Sequence, residues 1–237
     1  MLTKVGRFLF RWRGVIFPAA ILSMALAFPP RLASSRLDRL ILELGLLIVM
    51  AGQALRILTI GWDYIERGGD HGRVSASRLV TAGMYALCRN PMYVGNILLV
   101  SGFLLVFGRI PAAVLGIAFC VFCYRAIVAS EEAFLRQKFG EEFEAYCARV
   151  PRWHIRPLAL IKAMRLRSTD MKSILLREYS TLSVTAFGAA TLTIWRLHGK
   201  DWQPAEFALG SALFGLILGF YLTMRFLKTR RIVYAPR

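Results

Sequence analysis

The sequence predicts an all-α, polytopic integral membrane bundle of about six transmembrane helices with both termini in the cytoplasm. Three observations predict it. Hydrophobic residues make up 57% of the 237 residues and the mean hydropathy is +0.51, yet Lys and Arg number 31 against 14 acids, a formal net charge of +17. A soluble domain seldom combines that apolar average with that charge, whereas apolar spans separated by basic loops do so naturally. The third observation is that the two kinds of residue are segregated along the chain.

Charge-poor stretches run over Gly14–Phe28, Leu40–Ile60, Tyr93–Phe107, Ile110–Val128, Leu182–Ile194 and Phe207–Met224. About 20 apolar residues are needed to cross the hydrocarbon. The second, fourth and sixth stretches meet that length; the first, third and fifth need polar flanks or tilt. The basic amino terminus followed by an apolar run resembles a signal peptide. No small-residue cleavage site follows Ala27, so it reads as a retained first span.

Orientation follows from the distribution of cations. With the amino terminus inside, the inside segments 1–13, 61–90, 131–180 and 225–237 hold four, four, ten and five Lys or Arg; the outside segments 31–39, 109 and 196–205 hold three, one and two. Lys and Arg resist translocation, so twenty-three against six puts both termini in the cytoplasm. Nucleic-acid binding explains the charge poorly, because the basic residues flank spans.

Three regions are expected: two helices over 1–60, a core over 61–157 made of a cytoplasmic loop, a transmembrane hairpin and a cytoplasmic helix, and a basic interfacial segment with two further helices over 158–237. In the last region Lys162, Arg165, Arg167, Lys172 and Arg177 alternate with apolar residues, as in a helix lying on anionic headgroups or a basic linker. Small residues, Gly188, Ala189 and Ala190 in one span and Gly210, Gly215 and Gly219 in the other, suit close packing on the core or a homodimer face. Cys120 and Cys123 form a C-x-x-C inside an apolar helix; with Cys88 and Cys147 they are expected to pack as small hydrophobes. No metal site is expected.

Two motifs carry chemistry. The first is L-V-T-A-G-M-Y-A-L-C-R-N-P-M-Y-V-G over 79–95. Gly83 suits a tight turn and Pro91 a helix's first turn, which places Arg89 at a helix amino terminus beside unpaired backbone donors, where an anion is received. The plain alternative is a loop-to-membrane boundary with Arg and Tyr at the headgroups. The second motif is E-E-A-F-L-R-Q-K-F-G-E-E-F-E-A-Y-C-A-R-V-P over 131–151. On one continuous helix Arg125, Glu132 and Arg136 share a face. Arg125 lies within an apolar run, where an ionisable residue is a functional candidate; the alternative is snorkelling to the interface. Glu141, Glu142 and Glu144 read as a solvated face.

Together the motifs resemble the isoprenylcysteine carboxyl methyltransferase and phospholipid methyltransferase superfamily, over roughly residues 75–157. The resemblance implies an S-adenosylmethionine pocket at the cytoplasmic helix ends. It implies cofactor-binding residues Ser77, Leu79, Val80, Thr81, Tyr85, Arg89, Asn90, Tyr93, Glu131 and Glu132, and catalytic residues Arg125, Glu132 and Arg89, with Arg125 orienting an anionic substrate group. Asn90 and Ser77 stand where the family commonly has His, and neither titrates near neutral pH. His71 and His154 are not assigned a role.

The expected function is methyl transfer to a lipid-like substrate that reaches the site sideways between helices. Among carboxylate, amine and thiol acceptors, a carboxylate or other preionised group is slightly favoured over an ammonium that must first lose a proton. The expected location is the bacterial inner membrane with the site facing the cytoplasm. Two rival readings remain, an NADPH-dependent reductase of the sterol-reductase type and a non-catalytic membrane scaffold.

Overall fold

The computed structural model describes residues 1–29, 31–62, 76–155, 159–161, 163, 171–199 and 203–230. Among the described residues six long helices follow one another: α1 Leu2–Ala27, α2 Arg36–Trp62, α3 Pro91–Phe107, α4 Ile110–Arg149, α5 Met171–His198 and α6 Pro204–Thr229, with a short 3-10 turn at Gly83–Ala86 before α3. Each contains one of the six apolar stretches. Among the described residues α2, α4 and the 207–229 part of α6 are long and apolar enough to cross a membrane, and α3 is a shorter apolar helix. The chain is thus an all-α membrane protein. His71 and the cations Lys162, Arg165 and Arg167 lie outside the described residues.

Local chemistry sets the helix ends. Before α2 the Ser35 hydroxyl accepts from the Asp38 N–H at 3.1 Å, and the Asp38 carboxylate accepts in return from the Ser35 N–H at 3.2 Å and its O–H at 2.7 Å. This reciprocal box satisfies donors that the first turn leaves open. Pro91 opens α3, as its fixed φ and missing N–H allow.

The core is two close helix pairs: α2 lies along α3, and α1 lies along α4. Glycine makes the first pair close. A Cβ on Gly52 would stand 2.8 Å from the Gly95 carbonyl oxygen, and one on Gly102 would stand 2.7 Å from that of Gly45. Membrane helices lack a hydrophobic force between them, so such backbone contact supplies the attraction. α5 packs on α2 and α3, and α6 packs on α5. Of the small residues in these last helices, Gly188 faces Phe103 of α3, whereas Gly215 and Gly219 face open space.

α4 is bent at Gly140, whose φ of +50° is left-handed. Beyond it Phe143, Tyr146 and Val150 fold back on Leu135 and Leu79. This return brings the end of the second motif onto the first.

Candidate active site

The site forms where the loop before α3 meets α4 and the segment that follows it. The Arg89 N–H donates to the Pro151 carbonyl at 2.9 Å, and the Asn90 side-chain amide donates to the Arg152 carbonyl at 3.1 Å. The 150–153 segment is thereby held across the start of α3. Tyr146 completes the closure by donating to the Tyr85 carbonyl at 2.8 Å.

Two adjacent buried carboxylates follow on α4. Glu131 accepts from the Tyr93 hydroxyl at 2.7 Å. Glu132 accepts from Arg152 Nε at 3.0 Å and Nη2 at 2.8 Å, with Arg89 Nη1 at 3.4 Å. Arg89 Nη1 also donates to the Cys147 sulfur at 2.7 Å. Its Nε is buried and has no partner among the described residues. Burial of a polar donor without a partner costs free energy, so this N–H is a built place for an incoming acceptor.

Tyr93 joins this cluster to a cavity of about 410 Å³. Its walls come from α1 (Arg13, Phe17), α2 (Thr59), α3 and the residue that caps it (Tyr93, Asn96 and Asn90) and α4 (Tyr124). The Tyr93 and Tyr124 rings lie 5.2 Å apart, and Phe17 stacks on Tyr124 at the same separation. Because α1 packs on α4 while α2 packs on α3, the cavity sits between the two pairs.

Of the residues expected in the site, Tyr85, Arg89, Asn90, Tyr93, Glu131 and Glu132 come together in this way. Val80 is buried against Tyr85, and Leu79 packs with Leu135 and Tyr146. Ser77 and Thr81 are exposed. Arg125 is not brought into the cluster: it is exposed, whereas Glu132, seven residues on, is buried. The guanidinium that meets Glu132 from the 150–153 segment is that of Arg152. Arg136, on the same face, pairs instead with exposed Glu144. Glu141, Glu142 and Glu144 are all exposed, as expected of a solvated face. His154 is exposed.

Of the four free cysteines, Cys88, Cys120 and Cys123 are buried and Cys147 is half-buried. Burial pushes the Cys88 thiol from 9.0 up to about 11, so it is a neutral packing group at neutral pH. Cys147 packs on the Leu135, Phe143, Tyr146 and Val150 cluster and also meets Arg89, and burial raises its thiol as well.

Sequence reasoning missed Arg152, Cys147 and a buried network beside the cavity. In that network Arg56 of α2 donates to Glu178 of α5 through Nε at 2.6 Å and Nη2 at 2.9 Å, and to Asn96 of α3 through Nη1. Gln53 donates to Glu178 at 3.1 Å and accepts from Thr185 at 3.1 Å. The signal was available for Arg56, a lone cation inside an apolar run.

The fold and this cluster define an integral membrane bundle with a polar site at one end of its helices. Residues 40–142 match the family model described as phospholipid methyltransferase, within the superfamily the two motifs resemble. That stretch includes most of α2, all of α3 and most of α4, and it ends before the 143–153 return. The cobalt-zinc-cadmium resistance protein CzcN of Cupriavidus metallidurans is 40% identical over 74 residues, 31% of this chain and 33% of that protein. The nickel-cobalt-cadmium resistance protein NccN of Alcaligenes xylosoxydans xylosoxydans is 40% identical over 81 residues, 34% of this chain and 37% of that protein. The chain thus spans about a third of the length of these curated relatives. No solved structure matches it.

Proposed function

We propose that the protein is an S-adenosylmethionine-dependent methyltransferase acting on an amphiphile dissolved in the membrane, with its site on the cytoplasmic face of a bacterial inner membrane. The observation that carries this reading is the double role of Tyr93, which holds a buried carboxylate at one end of the helices and lines the cavity between them.

The residues present fit the cofactor's polar groups. The partnerless Arg89 Nε suits the methionine carboxylate. Glu131, oriented by Tyr93, suits the ribose hydroxyls or the amino group. Glu132 holds Arg89 and Arg152 in place rather than meeting the substrate. When bound, the cofactor supplies an electrophilic methyl group on sulfur. The protein's share is to bind and orient the acceptor and to exclude water.

An apolar tail would reach the cavity from the bilayer between the α1–α4 and α2–α3 pairs. The wall groups Thr59, Asn90, Asn96, Tyr93 and Tyr124 include no base that titrates near neutral pH. Asn90, standing where the family commonly has His, spends its amide on the Arg152 carbonyl. This favours an acceptor that arrives already nucleophilic over an ammonium that must first lose a proton.

Calorimetric titration of the detergent-purified protein with S-adenosylhomocysteine tests the reading, alongside Glu132→Ala and an NADPH titration. Micromolar binding of the homocysteine compound, lost in the variant, is expected. Binding of NADPH alone would transfer the assignment to a reductase, and binding of neither by folded protein would leave a scaffold.

A further inference from the structure

We propose that Glu178, acting through Arg56 and Asn96, makes the cavity select amphiphiles whose head carries a hydrogen-bond acceptor: a carbonyl, carboxylate or phosphoryl oxygen. The proposal rests on reading the cavity as the amphiphile's place. It concerns a helix, α5, that lies beyond the family-matched stretch.

The argument is one of donor direction. Glu178 is 2% exposed and grips the Arg56 guanidinium through both carboxylate oxygens. Thr181 accepts from the same guanidinium at 3.3 Å. A Cβ on Gly95 would stand 2.7 Å from Arg56 Cγ, so the motif glycine makes room for the stem as it passes α3. Arg56 is thus fixed, and a guanidinium only donates.

One of its two Nη1 donors goes to Asn96 Oδ1. The two branches of an amide diverge, so occupation of Oδ1 by Arg56 turns Nδ2 away from it. Asn96 and Tyr124 both line the cavity. With Oδ1 taken by Arg56, the Nδ2 amide is the end of Asn96 left to meet a ligand, and the Tyr124 hydroxyl beside it can donate as well. Thr59 turns its own proton back to the Leu55 carbonyl at 2.7 Å. Asn96 and Tyr124 therefore offer donors on this wall, alongside the Arg13 guanidinium. The polarity is set from outside the cavity: an ion pair between α2 and α5 decides which end of an asparagine the ligand meets.

Saturable binding of radiolabelled methyl palmitate, whose ester only accepts, and of hexadecylamine, whose ammonium only donates, is measured in nanodiscs and corrected for protein-free discs. S-adenosylhomocysteine binding is followed in the same samples. The wild type is expected to prefer the ester by roughly tenfold, the size of effect a buried hydrogen bond gives. Asn96→Asp, which presents acceptors only, is expected to reverse the order. The Arg56→Met, Glu178→Leu double variant replaces the pair with apolar side chains of similar length, a change that buried pairs tolerate. There the ester-to-amine ratio should fall by roughly tenfold while S-adenosylhomocysteine binding persists. Repulsion of the amine by Arg13 is common to all variants and cancels in the comparison.

Preference for the amine in the wild type, or an unchanged ratio in both variants, overturns the proposal. If neither amphiphile binds while S-adenosylhomocysteine does, the cavity reading falls and this inference with it. If the ester is selected without S-adenosylhomocysteine binding, the inference stands and the methyltransferase reading fails.

Discussion

At Glu132 a single carboxylate carries two guanidiniums, Arg152 at 2.8 Å and Arg89 at 3.4 Å. Glu132→Gln removes the charge that holds both, and a half-satisfied buried cluster is worse than none. Chemical denaturation should register a loss of about 2 kcal/mol, discounted because Arg152 is partly exposed. Arg89→Lys is milder for the fold but deletes the partnerless Nε. S-adenosylhomocysteine affinity should drop roughly tenfold in calorimetry with little change in Tm. Cys88 gives a pH signature. Its thiol titrates near 11 when folded and near 9.0 when unfolded, so above pH 9 the unfolded chain sheds this proton first. Stability contributed by the neutral thiol is present below that pH and is lost by about pH 11, a total near 2–3 kcal/mol. Thermal unfolding should therefore show a fall in Tm across this window that is shallower in Cys88→Ala.

Among elements, the α2–α3 pair is the least forgiving. Gly52→Ala drives a Cβ to 2.8 Å from the Gly95 carbonyl oxygen, and backbone cannot yield as a side chain would. A cost of about 2 kcal/mol is expected from equilibrium unfolding. Gly215→Ala, in open space on α6, should be neutral or slightly stabilising. The same helices show how far sequence reading reaches. The three long apolar spans and the Pro91 start of α3 were legible because length, apolarity and a fixed φ are local properties. The positions of Tyr93, Glu131 and Glu132 followed from motif order. That Arg125 lies outside the cluster was not legible, because periodicity assigns a face without saying what covers it. The return at Gly140 decides that, bringing Arg152 onto Glu132. Glu178 was missed for a similar reason: beside Arg177 and Tyr179 it reads as interfacial, and only tertiary packing sets it against Arg56.

For the molecule as a whole, the ion pair between Arg56 and Glu178 makes α5 part of the core. A chain ending at residue 157 leaves the Arg56 guanidinium without its carboxylate partner in an apolar setting, a defect costing about 3–5 kcal/mol. Such a chain should fail to give a monodisperse peak in detergent, and Arg56→Met should restore it in part.

At the far end of the bundle, Arg196 is 1% exposed, donates to the Val106 carbonyl at 3.2 Å and to the Asp38 carbonyl at 3.2 Å, and fills the space where a Cβ on Gly108 would lie 1.4 Å from its Nη1. The two positions are therefore bound to vary together over evolutionary time. Lineages that keep an arginine on α5 are confined to glycine at the α3 terminus. Those that have lost the helix are released from that constraint, and asparagine, the other residue at ease with a φ of +77°, should enter there.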